Sequence, residues 1–504
     1  MNTFMENLKD ANNFGLTENG ALTHKTTKSA VLDMFAVCGA YRQHSVEDCI
    51  LMFKNALEEN ETLAVKCLFY LGDCRGGQGE RRFFRVCFKW LAKNYPEVAM
   101  RNLEVIPEYR RWDDVIYATV GTPIEDAALA FIKKQLALDV QSKTPSLLAK
   151  WMPSENASSR ETKRVAGIVR AYLGMTHKQY RKTLSVLRER INIVERLMSE
   201  NRWDEIEFDK IPSKAGLIYK NAFARRDMIA KKYETFAKSA DTKVNAAVLN
   251  PVDIAEKVFT QYRYSYNRNN ETDRAMLQKY WSSLKDYYNG RQENGIAIVD
   301  VSGSMNGQPL YAAVSMGAYI AERGHGPFAN HFITFSAEPE LVKFEGVDIV
   351  DKFIRAEKAN WEMNTDIKAV FDMLLNVAKN KSTKPEDMPE RLYIFSDMQF
   401  DRCVTDGKSS KDRWGYNRYN YPTADGMETL LESIASEWAA AGYELPKVVF
   451  WNLRASTNNI PALGGRFSYV SGYSMNMVET ILSGKDGYDL MLEKLMSERY
   501  SLVG

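Results

Sequence analysis

Apolar residues in this chain keep two different periods, and the change comes near residue 290. From about Ser29 they recur three and four positions apart. Val31, Met34, Phe35 and Cys38 share one face, Val46, Ile50, Phe53 and Leu57 a second, and Leu63, Lys66, Cys67 and Tyr70 a third. That spacing predicts consecutive amphipathic helices. Pro96, Pro107, Pro123, Pro145, Pro153 and Pro212 punctuate them at helix starts and turns. A long run of helix without a strand or a strict repeat predicts an α-helical repeat, a HEAT-like solenoid or ring of helical pairs. Ahead of it, residues 1–25 are polar and Asn-rich and read as an extended arm with a turn at Asn19-Gly20.

Past residue 290 the pattern alternates. Residues 295–301, 332–335, 391–396 and 447–452 read as strands, and 340–344 as a short extended piece. Residues 309–322, 366–379, 425–441 and a last stretch near 474–482 read as helices. Strands alternating with helices predict a doubly wound, mainly parallel, Rossmann-like α/β sheet. The expected organisation is a helical-repeat domain over 1–288 and an α/β domain over 289–504.

Composition narrows the class. A length of 504 residues exceeds one ordinary core, and 45% hydrophobic with 26% charged residues describes a soluble globular chain. No apolar run approaches the ~18 residues of a membrane span, and the first residues lack the pattern of a signal peptide. Six cysteines form no Cys-x-x-Cys pair and have no His at ligand spacing. Five of them fall on helical patterns and read as small core residues, and the set points to a reducing, cytoplasmic compartment. Charge is uneven along the chain. Residues 1–290 carry 45 Lys and Arg against 36 Asp and Glu, and the remainder 22 against 29. Residues 161–290 alone hold 25 against 16. A basic half implies a polyanionic partner.

Two features carry candidate chemistry. The first is Gly295 to Met305, an apolar strand running into Asp300, Ser302 and Ser304. Strand, polar loop, helix is the order that puts oxygens at the carboxyl end of a parallel strand. One carboxylate and two hydroxyls suit a hard cation, Mg²⁺, Mn²⁺ or Ca²⁺. Asp300-x-Ser302-x-Ser304 resembles the first motif of the metal-ion-dependent adhesion site (MIDAS) of the von Willebrand factor A domain. Thr365 in Asn364-Thr365-Asp366 and Asp397 after the strand 392–396 stand where that family has its downstream Thr and Asp. The resemblance implies that Ser302, Ser304 and Thr365 supply hydroxyls and that Asp300 and Asp397 act directly or through water. It also implies an open metal position filled by a carboxylate from a protein partner. No His or Glu base lies near these motifs, which disfavours hydrolysis and predicts a protein that is not an enzyme. His325 and His331 read as structural.

The second feature is the basic helical surface. On the helix after Ser158, Val165, Ile168, Val169, Tyr172 and Leu173 form an apolar face, leaving Lys163, Arg164 and Arg170 elsewhere. A long helix opening at Tyr180-Arg181-Lys182 has the seam Leu184, Leu187, Ile191, Val194 and Met198, with Arg188 off it. Lys220, Arg225, Arg226, Lys231 and Lys232 continue the charge on a third helix, and Tyr262, Arg263, Tyr264, Tyr266 and Arg268 interleave rings with guanidiniums. Such a mix suits RNA, where aromatic faces stack bases and Arg holds phosphate. The candidate contacts are Lys163, Arg164, Arg170, Arg181, Lys182, Arg188, Arg225 and Arg226. Gly76-Gly77-Gln78-Gly79 between arginines reads either as a phosphate cradle or, preferably, as a helix C-cap and tight turn. Trp112 and Trp151 read as core anchors. The insertion 402–422, with Trp414 and three tyrosines, is a candidate loop for contacting either the metal site's partner or an RNA.

Helices first, an A domain second and the basic surplus in the helices resemble the TROVE architecture of the Ro ribonucleoprotein. Arg75-Gly-Gly-x-Gly-Glu80-Arg81, Lys150-Trp151-x-Pro153, Ser396-Asp397-Met398-x-Phe400-Asp401 and 449–454 also resemble a group of proteins with this two-part plan. The resemblance implies a ribonucleoprotein component that holds small or misfolded RNA. The competing expectation is a metal-dependent protein-interaction scaffold with no RNA role.

Overall fold

A computed structural model describes residues 12–191, 193–246, 248–263, 270–335, 338–358, 366–400 and 429–504. It divides into two compact units that do not follow the chain linearly. One gathers Met1–Tyr41, Asn250–Arg268 and Asp286–Lys494; the other gathers Arg42–Leu249, Asn269–Lys285 and Leu495–Gly504.

The helical unit begins with Val46–Glu59, started by a capping box in which Ser45 and Asp48 satisfy each other's backbone amides. Glu61–Gly72 follows at once, capped by Asn60. Arg81–Asn94 buries Phe84, Cys87, Phe88 and Leu91, spaced three, one and three apart. Lys66 lies on the apolar face as its spacing predicts; it is buried and donates its ammonium to the Tyr500 carbonyl. The C-terminal segment is pinned within this unit: buried Asp73 accepts from Arg499 and from the Tyr500 hydroxyl.

Two long basic helices are each broken. Residues His177–Ile191 end one helix and Val194–Ser199 form the next, at β-branched Ile191, Ile193 and Val194, which are weak helix formers. The third basic stretch is likewise two helices, Ser213–Arg225 and Asp227–Lys238. The glycine-rich turn is structural. Gln78, Gly79 and Glu80 spend their amides on the carbonyls of Tyr70, Asp73 and Leu71, and a Cβ on Gly77 would lie 1.8 Å from the Tyr70 oxygen. Those amides are turned away from any phosphate. Trp112 and Trp151 are half-buried; the Arg111 guanidinium lies 4.0 Å from the Trp151 ring centre.

The second unit is built on one sheet. The predicted extended arm is a short hairpin, β1 (Phe14–Leu16) and β2 (Leu22–His24), turning at Gly20 with φ 86°. The main sheet comprises β3 (Gly295–Asp300), β4 (His331–Phe335), β5 (Glu340–Lys343), β6 (Arg391–Ser396), β7 (Lys447–Asn452) and β8 (Phe467–Ser471). Their order is β5-β4-β3-β6-β7-β8, parallel except for β5. Helix Gln308–Arg323 covers β3 so closely that a Cβ on Gly317 would meet Val299 at 2.4 Å. The architecture is an α-helical repeat followed by a doubly wound α/β von Willebrand factor A-like domain.

Candidate metal centre and basic surface

The strand order places β3 beside β6 at the middle of the sheet, so the residues that end these strands meet. Asp300 ends β3 and is fully buried; Asp397 follows β6 and is 1% exposed. Between them the loop 301–305 folds back. The Ser302 amide donates to Asp300 Oδ1 at 2.9 Å, and the Ser302 and Ser304 hydroxyls lie 3.1 Å apart. Ser304 also hydrogen-bonds the Asp397 carboxylate. Four of the five predicted ligands, Asp300, Ser302, Ser304 and Asp397, are therefore neighbours. Thr365 lies outside the described residues, as do Asn364, Tyr264, Tyr266, Arg268 and the insertion 402–422.

Burial and then the neighbouring Asp397 charge push Asp300 up to about 7, against the Ser302 and Ser396 hydrogen bonds that lower it. Burial also raises Asp397, against hydrogen bonds from Ser304 and the Gln399 amide and the charge of Arg454. Two adjacent carboxylates in a dry site, faced by hydroxyls, make ionisation of Asp300 costly even with the Arg454 charge beside Asp397. That donor set fits a divalent hard cation. Among the described residues no three of His, Cys, Asp and Glu converge to hold a metal, so any cation here relies on hydroxyls and on groups from outside.

Three contributors escaped the sequence pattern. Ser396 donates to Asp300 Oδ2 at 2.6 Å and accepts from the Met398 amide at 3.0 Å. Arg454, after β7, donates to the Ser304 carbonyl and fixes the loop. The hairpin turn is held over the loop after β6: Thr17 donates to the Phe400 carbonyl at 2.7 Å and the Glu18 amide to Gln399 Oε1 at 2.8 Å. Exposed Glu18 thereby adds negative charge beside Asp397. Ser396 is foreshadowed only by its place before Asp397; Arg454 and Glu18 carry no local signal.

The eight basic candidates sort by commitment. Arg164 pairs with Glu161 at 2.7 Å and Arg170 with Glu155 at 3.0 Å. Arg188 caps the carbonyls of Ala149 and Met152 at 2.8 and 3.1 Å. Arg226 lies 4.9 Å from the Trp203 ring centre. Lys163, Arg181, Lys182 and Arg225 are exposed and have no ion-pair or hydrogen-bond partner among the described residues. Lys220 is buried against Asp273, and Lys232 is spent on the Ile206 carbonyl at 2.8 Å.

Known proteins match both parts of the chain. One family model, a domain of unknown function (DUF2828), matches residues 17–116 and 139–287, and another, a domain of unknown function (DUF7788), matches 294–500. The crystal structure of the Deinococcus radiodurans Ro (RSR) protein superposes over 93% of this chain and 99% of that one, with a TM-score of 0.50 at 12% identity. The chain has a Ro-like fold. An uncharacterized protein of Acanthamoeba polyphaga mimivirus is 29% identical over 94% of this chain and 85% of its own length. The Ro-like likeness extends across both the helical repeat and the A-like domain.

Proposed function

We propose that this Ro-like protein is an RNA-binding ribonucleoprotein component. The observation that carries the reading is the set of exposed, uncommitted cations Lys163, Arg181, Lys182 and Arg225 on the helical unit of a Ro-like fold. Exposed Lys and Arg that are not neutralised locally are what phosphate binding requires, because affinity comes from counterions they release. The partner is small or structured RNA, held without chemistry on it, in the cytoplasm. The A-like domain takes one Mg²⁺, or Mn²⁺ or Ca²⁺, at Asp300, Ser302, Ser304, Asp397 and Thr365, and through it a carboxylate of a protein partner. The buried Asp300–Asp397 pair favours that second activity even if RNA is absent, which makes a metal-dependent interaction protein the alternative reading.

The test is a gel-shift of the purified full chain against small structured RNAs at 50 and 200 mM salt, with and without chelator. Binding that falls steeply with salt and survives chelation is expected. No binding at the lower salt would refute the RNA reading and leave the metal-dependent module.

A further inference from the structure

Three stretches that stand out in the sequence, Gly76 to Arg81, Arg110 to Asp114 and Lys150-Trp151, come together in the helical unit around a pair of carboxylates. Arg81 and Arg85 lie four residues apart on the helix Arg81–Asn94, so their side chains share a face. Asp113 and Asp114 open the short helix Trp112–Tyr117. Oδ2 of Asp113 accepts from three guanidiniums: from Arg81, from Arg85 at 2.9 Å and from Arg111 at 3.0 Å. Asp114 accepts from Arg85 and from Arg110, the latter at 3.0 Å.

Charge does not balance here. Four guanidiniums face two carboxylates, and the neighbouring Glu80 is taken by Arg42. Arg110 is buried and spends its Nη1 on the carbonyls of Gly72 and Glu80. The surplus therefore sits on Arg81, Arg85 and Arg111, whose side chains keep 43, 22 and 30% of their surface in solvent. Nη1 of each has no acceptor among the described residues, and on Arg85 and Arg111 that nitrogen is open to solvent. Arg111 covers the Trp151 ring at 4.0 Å, and Lys150, 5.6 Å from the same ring centre, brings a further cation with no carboxylate partner among the described residues. Burial lowers Arg81, and Arg85 and Arg111 repel it, against the pull of Asp113 and Asp114.

The geometry points to an anion site at Arg81, Arg85 and Arg111 that takes a phosphomonoester. Without Lys150 the surplus is two positive charges, which matches the charge of nearly −2 that a phosphomonoester carries at neutral pH. A phosphodiester carries half of that. Guanidinium forks pair with phosphate oxygens, and hydrogen bonds between charged partners are the strong kind. The forks are already fixed by Asp113 and by two rings, Arg85 lying 4.6 Å from the Tyr117 centre and Arg111 4.0 Å from that of Trp151. Little side-chain freedom is then lost on binding. None of the eight candidate RNA contacts belongs to this group, so the inference goes beyond the RNA-binding reading and does not rest on it. A phosphomonoester is carried by a small metabolite or by the 5′ end of an RNA.

The experiment is calorimetric titration of the full chain with methyl phosphate and with dimethyl phosphate, in excess chloride at neutral pH. Methyl phosphate is expected to bind about tenfold or more tighter than the diester, because it meets the surplus with twice the charge. Arg111→Gln leaves Asp113 paired with Arg81 and Arg85 and is expected to weaken methyl phosphate about tenfold in a folded protein. Arg81→Gln is the second variant, and Lys163→Gln, outside the group, is expected to change nothing. The source of the phosphate is read by competing methyl phosphate with a short RNA bearing a 5′-phosphate and with the same RNA bearing a 5′-hydroxyl. Displacement by the phosphorylated RNA alone assigns the site to an RNA end, and displacement by neither assigns it to a small molecule. No saturable binding of methyl phosphate overturns the inference. So do equal binding of the diester, equal displacement by both RNAs, or unchanged affinity in both arginine variants. The salt-dependent gel-shift still judges the RNA-binding reading by itself.

Discussion

Replacing Asp300 with Asn isolates the electrostatic cost built into the metal centre. Asp300 sits at about 7 in the folded, metal-free chain against an ordinary 3.8. Well below pH 3.8 both folded and unfolded chains hold the proton, and the site costs nothing. As pH rises the unfolded chain ionises first, so folded stability falls until the folded carboxyl ionises near pH 7. At about 1.4 kcal/mol per pH unit the full loss is on the order of 4 kcal/mol, of which about 3 kcal/mol falls between pH 5 and 8. For a unit of this size that is about 6–12 °C in Tm. Asn carries no charge, so in chelator its melting temperature should drop less across that window, by that amount. Mg²⁺ at 100 times its Kd should return about 2.7 kcal/mol to the wild type at pH 8 and little to the variant. Calorimetric melts at pH 5 and 8, with chelator and with Mg²⁺, measure all four numbers. Equal pH slopes for the two proteins, or equal Mg²⁺ gains, would refute the reasoning.

Other variants probe the helical unit. Gly77→Ala forces a Cβ to 1.8 Å from the Tyr70 oxygen and should cost about 3 kcal/mol or more in denaturant melts, while RNA affinity per folded molecule stays unchanged. Asp73→Ala strips Arg499 and Tyr500 of a buried partner; a loss of about 3–5 kcal/mol is expected, with faster hydrogen exchange at residues 495–504. Changing Lys163, Arg181, Lys182 and Arg225 together to Gln should flatten the log–log salt slope of RNA binding by up to about 3. Arg188→Gln should instead lower stability, since its guanidinium holds backbone carbonyls. Equal effects of these last two changes on the salt slope would overturn the sorting of the cations.

How far the fold was legible depended on how locally each element is encoded. β3, β4, β6 and β7 are apolar runs rich in β-branched and aromatic residues, and their bounds follow from sequence to within a residue or so. β8, Phe-Ser-Tyr-Val-Ser, was missed because its serines look like turn residues, yet Ser468 and Ser471 are 1% exposed. Helix Ile349–Ala356, at eight residues, is too short for its period to stand out. The strands β1 and β2 have three residues each, and only pairing makes them strands. In the site, Asp300, Ser302 and Ser304 form one local motif and were visible. Arg454 reaches Ser304 across 150 positions, and no spacing rule encodes that. The basic surplus was countable, but its meaning was not: buried Lys220 and the carbonyl-capping Arg188 add to the count and are structural.

The parallel register explains why polar residues collect at one edge of an otherwise apolar sheet. Ser396 pairs with Asn452 and Asn452 with Ser471 in neighbouring strands, and Ser396 hydrogen-bonds Asp300 on the other side. Each is the last residue of its strand, so in-phase parallel pairing lines up four polar side chains in one row. Inside the sheet such a row would leave polar groups without partners. At the carboxyl ends it can be met by loops: Ser471 accepts from the Gly39 amide at 2.9 Å and donates to the Phe35 carbonyl at 3.1 Å. Asn452 accepts from the Arg454 amide at 3.1 Å, but its Nδ2 has no partner among the described residues. Hydrogen bonding therefore does not single out Asp300 and Asp397, whose carboxylates accept from Ser302, Ser396 and the Gln399 amide; what sets them apart in the row is two adjacent buried charges. Charge rather than an unmet hydrogen bond locates the site by physical cost: burial and the neighbouring Asp397 charge oppose ionisation of Asp300, and a cation at the strand ends would relieve both.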